Sequence, residues 1–266
     1  MNSNHTSLER PSRGRGVGEV AFLFGLAGRT ELPGAVLRRM LGDLGHSADA
    51  ARTLLARMVR SGQLASHRQG RTTAYALAGE FLAGWERVRQ QAMTRSSPWS
   101  GHFHTVLHAV PEEHRGFRDA LRRTALLAGY GTLQPGVLIC LTDRRHVLAP
   151  LLDAAPDGAR IRLGTLGLTR AEAADAASVA WDLPGLGRTY ADHIARLDAR
   201  PGPHDLRTFV QTFQPALTET LREPALEEAL LPAGWPGPDL RRAFGRFQER
   251  HEALVQAYLH DVLDPA

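Results

Sequence analysis

Residues 47–77 read SADAARTLLARMVRSGQLASHRQGRTTAYAL, and a change of period inside this stretch decides the fold of the first part of the chain. Ser47 suits a helix cap, and Ala51, Leu54, Leu55, Met58 and Val59 recur at the spacing of one helical face. Asp49, Arg52, Thr53 and Arg60 fall on the outer face. After Gly62 the period drops to two. Leu64 to Arg68 and Thr72 to Leu77 read as strands around Gln69-Gly70-Arg71, a hairpin with glycine at its tip. Upstream, Val17, Val20, Ala21 and Phe24 are spaced as a first helix closed by Gly25 to Gly28. Pro33 suits the start of a second, with Val36, Leu37, Met40, Leu41 and Leu44 inward and Arg38 and Arg39 outward. Gly45 permits the tight turn into the third helix. Three helices followed by a hairpin predict a winged helix-turn-helix over residues 17–95. In such a module the third helix enters the major groove of duplex DNA while the wing reaches an adjacent groove or the backbone. Arg52 and Thr53 are the candidates for reading bases, with Ser47 and Asp49 beside them at the start of the helix. Arg38, Arg39, Arg57, Arg60, Arg68 and Arg71 are the candidates for phosphate contacts.

The charge distribution agrees with a nucleic-acid partner. Residues 1–95 hold 14 arginines against 7 acids, whereas the rest of the chain holds 18 against 21. A basic front module on a slightly acidic remainder fits a DNA reader joined to a sensing or assembly part. Residues 1–16, with Arg10, Arg13 and Arg15 among Ser, Asn, Gly and Pro, have no apolar periodicity and read as a disordered arm. They lack the apolar segment of a secretory signal, and no apolar run approaches a membrane span. The single cysteine, Cys140, lies in the apolar run Val137 to Leu141 and reads as a small core residue. A reducing cytoplasm is the expected location.

Phe81 to Ala92 reads as a helix with Trp85 and Val88, and Thr94 to Ser100 as a linker. Phe103 to Val110 is then a strand, and Pro111 starts a helix with Phe117, Leu121, Ala125 and Ala128. The turn Pro135-Gly136 separates Thr132 to Gln134 from the apolar strand Val137 to Leu141. Asp143 caps a helix to about Leu152, and Ile161 to Leu166 supplies a last strand. This order, β-α-β-β-α-β, predicts a ferredoxin-like middle domain over 101–168 and an α+β chain. From Thr169, which with Glu172 matches a capping box, residues 169–266 read as a helical C-terminal domain. Its stripes are Leu186, Tyr190, Ile194 and Leu197, then Leu206, Phe209, Val210 and Phe213. In the last helix, Leu240, Phe244, Phe247, Leu254 and Tyr258 suit a packing seam or dimer contact, with His251 in its middle.

Five ordered segments resemble the PaaX family of repressors of phenylacetate catabolism: Ser47 to Leu64, Val110-Pro111-Glu112-Glu113-His114-Arg115, Leu133-Gln134-Pro135-Gly136-Val137, Ala180-Trp181-Asp182-Leu183, and Leu230 to Gly237. The resemblance covers nearly the whole chain. It implies a winged helix, a ferredoxin-like middle related to a CRISPR-associated nuclease, and a helical end. It also implies a homodimer on an inverted-repeat operator, released by a small effector such as phenylacetyl-CoA or a related aryl-acyl-CoA. The related nucleases resemble one another in an aspartate at the end of the first strand, and this family commonly keeps it. Here His108-Ala109 stands there, and Ala109 cannot ligate a metal, which weighs against metal-dependent nuclease chemistry.

His102, His104 and His108 share one face of a regular strand and raise the idea of zinc, although Val106 breaks the run; a polar sheet face is the alternative. Arg115, Arg118 and Arg122 line one side of a helix and are compatible with coenzyme A phosphates, or simply with a solvated charged face. No catalytic constellation or glycine-rich phosphate loop is present, so no enzyme activity and no cofactor are expected. A DNA-organising protein without an effector is the further alternative.

Overall fold

The computed structural model describes residues 15–70, 72–79, 81, 82, 86, 98–220 and 226–263. The chain is α+β, with two antiparallel sheets, and divides into two compact units. Residues 1–93, 200–215 and 246–266 form the first, and 94–199 with 216–245 the second. The last helices, read from sequence as a domain of their own, thus contribute segments to both units.

In the first unit, α1 (Arg15–Leu26), β1 (Glu31–Pro33), α2 (Gly34–Asp43), α3 (Ala48–Arg60), β2 (Leu64–Gln69) and β3 (Thr72–Leu77) follow in order, and the sheet runs β1-β3-β2. α1 begins at Arg15, so Arg15 and Gly16, read as the end of an arm, are helical; a Cβ at Gly16 would lie 3.1 Å from Leu54 Cδ2. Contact with α3 thus extends the helix beyond what periodicity signals. Ser47 caps α3 by accepting from the Ala50 amide at 3.2 Å. Ala51, Leu54, Leu55 and Met58 of α3 are buried, as are Val20, Leu23 and Phe24 of α1 and Leu37, Met40 and Leu41 of α2, the two helices that α3 meets. Gly34 lets α2 approach the sheet: a Cβ there would come within 2.7 Å of the Thr73 carbonyl oxygen. The helix expected at Phe81 to Ala92, including Trp85 and Val88, lies mostly outside the described residues, as do residues 1–14 and 94–97.

Two later helices, α8 (Leu206–Thr220) and α9 (Gly237–Leu263), complete this unit with 206–215 and 246–263. Phe209 and Phe213 stack at 5.5 Å, Phe213 and Phe247 at 5.7 Å, and His251 lies 4.4 Å from Phe247. Phe22 of α1 meets Phe213 edge-on at 6.1 Å. The aromatic members Phe209, Phe213 and Phe247 of these stripes are therefore packed inside the chain, whereas Leu254 and Tyr258 are half-buried. His251 sits within the seam because its Nδ1 is 2.8 Å from the Phe247 carbonyl oxygen, which satisfies the ring despite its burial.

The second unit carries β4 (His102–Ala109), a 3-10 turn (Glu112–His114), α4 (Arg115–Leu127), β5 (Gly131–Gln134), β6 (Val137–Cys140), α5 (Arg145–Asp153) and β7 (Arg160–Gly167). The sheet order is β5-β6-β4-β7, all antiparallel. Alternation gives it two apolar faces. Val106, Leu138 and Cys140 pack with Ala125, Tyr130 and Leu148 on one. Phe103 and Ile139 pack on the other with Ala173, Ala176, Ala177 and Ala180 of α6 (Arg170–Ala180). α6 opens with the expected capping box at Thr169 and Glu172 and leads into α7 (Leu183–Asp198). Burial raises the Cys140 thiol pKa, as suits a core residue rather than a nucleophile.

Physical roles emerge for three of the segments quoted above. Gly136, at φ +80°, places its oxygen 2.8 Å from the His108 amide, and a Cβ there would lie 2.6 Å from the His108 oxygen. Trp181 packs on Phe103 at 6.1 Å, while Asp182, at φ +45°, caps α7 by accepting from the Gly185 amide at 3.2 Å. Trp235 packs on Tyr190 at 5.4 Å.

Two histidines of this unit make its stability pH-dependent. His193 on α7 is buried, and burial, followed by Arg196, holds its pKa below the usual 6.5; burial and then Arg118 do the same for His108. The unfolded chain takes up these protons at about pH 6.5 while the folded unit resists them. Stability is therefore full above that pH and falls as pH drops below it. Urea midpoints measured between about pH 5 and 8 are expected to decline below about 6.5, and His193→Gln to flatten part of the decline.

Candidate nucleic-acid interface

α3 presents two opposed faces. Its buried side locks it against α1 and α2, while residues 47–50, 52, 53, 56, 57 and 60 are exposed. Arg52 and Asp49 form an i,i+3 ion pair with side chains 64% and 87% exposed. Such a pair in water is worth about 0–1 kcal/mol, so it opens readily for a competing acceptor. Arg60 Nε donates to the Ala56 oxygen at 3.5 Å, one turn back, and Arg57 and Thr53 project from the same exposed side. The β2-β3 hairpin turns at Gly70, φ +61°, where Arg68 Nε donates to the Gly70 oxygen at 3.2 Å. Arg71 lies outside the described residues.

The two arginines of α2 have different surroundings. Arg38 is exposed, near the start of the helix. Arg39 is held by Asp261 of α9, pairing with its carboxylate and donating from Nη1 to its backbone oxygen at 3.2 Å. One turn along, Tyr258 donates to Asp43 at 2.7 Å, and burial followed by Asp43 raises the phenol pKa. Arg39 thus anchors the end of α9 on α2. No signal in the sequence pairs positions 39 and 261, because nothing in their local patterns encodes contacts over 222 residues.

The other candidate groups do not converge. The rings of His102 and His104 lie 5.3 Å apart edge to face, and among the described residues no three or more His, Cys, Asp or Glu side chains are grouped to hold a metal ion. Arg118 pairs with Glu112 at 2.8 Å and Arg115 with Asp119 at 3.7 Å, leaving Arg122 exposed. The second unit has a shallow groove lined by Leu152, Ala155, Ala159, Ile161, Arg162 and Leu163. Among the described residues no helix is long and apolar enough to cross a membrane.

Two family models match the chain, one described as PaaX-like protein over residues 24–81 and one as the PaaX protein central Cas2-like domain over residues 96–171. The chain belongs to the PaaX family. The PaaX-like match takes in the end of α1 through β3, and the Cas2-like match β4 through β7. PaaX membership makes this a chain from a family of transcriptional regulators. Among solved structures, an uncharacterized protein from Mycobacterium tuberculosis, Rv0674, is similar, with 25% identity and a TM-score of 0.60 over 91% of this chain and 97% of that one. No curated protein matches.

Proposed function

We propose that this chain is a DNA-binding transcriptional repressor that acts as a homodimer on an inverted-repeat operator. On this reading the first unit contains a winged helix-turn-helix, with α3 in the major groove and the β2-β3 hairpin as wing. The second contains a ferredoxin-like domain, since the strand order β5-β6-β4-β7 is the arrangement that a β-α-β-β-α-β unit of that type produces. The observation that carries the DNA reading is the two-faced α3: four buried apolar residues on one side, and Asp49, Arg52, Thr53, Arg57 and Arg60 exposed on the other, followed directly by the hairpin.

Family membership supports release by an aryl-acyl-CoA, with phenylacetyl-CoA the first ligand to try. The nuclease alternative finds no support in the strand end, where Ala109 offers no ligand atom. In a mobility-shift assay on the duplex upstream of the chain's own gene, the protein is expected to bind at moderate salt and to be released by phenylacetyl-CoA. Binding insensitive to any acyl-CoA would leave a DNA-organising protein, and absence of any shift would refute the DNA reading.

A further inference from the structure

An arginine from far along the chain lies over the turn that joins α2 to α3. Gly45 in that turn has φ +98°, and a Cβ built on it would lie 3.2, 3.3 and 3.4 Å from Cζ, Nη1 and Nη2 of Arg207. Three nearly equal distances mean that the guanidinium lies flat over the glycine, leaving its N–H edges directed sideways. Arg207 is the second residue of α8, whose Leu206, Phe209 and Val210 are buried in the same unit and turn Arg207 to the exposed side.

The acids around this turn are already engaged. Asp205 accepts from the amide and hydroxyl of Thr208, at 2.8 and 2.6 Å, at the start of α8. Glu19 holds His46 at 2.7 Å, and Asp43 accepts from Tyr258. Among the described residues Arg207 makes no ion pair, and the nearby Asp205 carboxylate is held first by Thr208, whose hydrogen bonds lower its pKa ahead of the charges of His204 and Arg207, whereas Arg39 pairs with Asp261 and Arg52 with Asp49. A planar cation laid against backbone outside any ion pair keeps its N–H donors available, which is the form in which arginine recognises phosphate. The turn it covers leads into the exposed residues 47–50 that open α3.

We propose that Arg207 is a further contact to the DNA backbone, filling the role that the local sequence pattern assigns to Arg39. The inference rests on the DNA reading of α3. Arg207 would then carry affinity but no sequence information, because phosphates are the same at every base pair.

The test is fluorescence anisotropy of the full chain with two labelled duplexes, one from upstream of its own gene and one of scrambled sequence, across about 50–200 mM salt. For Arg207→Gln, affinity is expected to fall alike for both duplexes, and the slope of log K against log salt to shrink by about 0.9. Arg207→Lys is expected to retain the wild-type slope, since the charge remains. Arg39→Gln is expected to keep the slope and to lower the thermal midpoint instead. A wild-type slope in Arg207→Gln, with Arg52→Ala still weakened on the upstream duplex, would overturn the Arg207 contact and leave the DNA reading intact. Equal affinity losses in Arg207→Gln and Arg207→Lys at unchanged slope would assign Arg207 to holding the turn, and also overturn it. Wild-type protein that binds neither duplex would end both.

Discussion

Replacing Phe247 by alanine is expected to lower the stability of the first unit by about 3–5 kcal/mol, the usual cost of emptying a large aromatic site. Phe247 is 1% exposed and sits against Phe209 at 5.3 Å, Phe213 at 5.7 Å and His251 at 4.4 Å. Its loss leaves a cavity between α8 and α9, and the ring stacks that surround it cannot close over the gap without moving both helices. The consequence reaches α1 through the contact of Phe213 with Phe22. Hydrogen exchange read by mass spectrometry checks this region by region. Protection is expected to fall on the order of 10²–10³-fold in α1, α2, α3 and in 206–215 and 246–263, at 1.4 kcal/mol per tenfold. Peptides of β4, β6 and β7 should change far less. Uniform loss across the whole chain, or a change below about 1 kcal/mol, would contradict the grouping of the late helices with the first unit.

Arg52→Ala is expected to weaken binding to the upstream duplex by about 10–100-fold, which corresponds to about 1–3 kcal/mol for a lost base contact. The same variant should bind a scrambled duplex nearly as well as wild type, so that discrimination collapses more than affinity. Asp49→Ala is expected to act in the opposite direction on scrambled DNA. It removes a negative charge from the exposed start of α3 and frees Arg52 from its ion pair with the Asp49 carboxylate. Neither residue is part of the core, so thermal midpoints should stay within about 0.5 kcal/mol equivalents of wild type. Equal losses on both duplexes for Arg52→Ala would move Arg52 from the base-reading set to the phosphate set.

Much of the candidate site could be read directly because α3 is amphipathic over 13 residues and the hairpin alternates around a glycine that needs positive φ. Local rules of period and turn suffice for such elements. β1 escaped that reading: three residues, Glu31–Pro33, are too short to show a period, and they become a strand only by pairing with Ala74 to Ala76 of β3. The helix after Pro111 likewise starts later, at Arg115, behind a 3-10 turn, because proline fixes the first turn without dictating its hydrogen-bond pattern.

What the amino-acid order determined alone was therefore local: the elements, their inward faces, the cap at Ser47, the basic outer face of α3 and the turn at Gly136. Which arginines stand outside an ion pair was decided by the tertiary structure. Asp261 reaches Arg39 and Arg207 reaches Gly45 only because α8 and α9 fold back onto α2 and the turn beyond it. Periodicity records which side of a helix is apolar, but not which distant helix will cover it; that choice is made by side-chain packing between segments more than 150 residues apart.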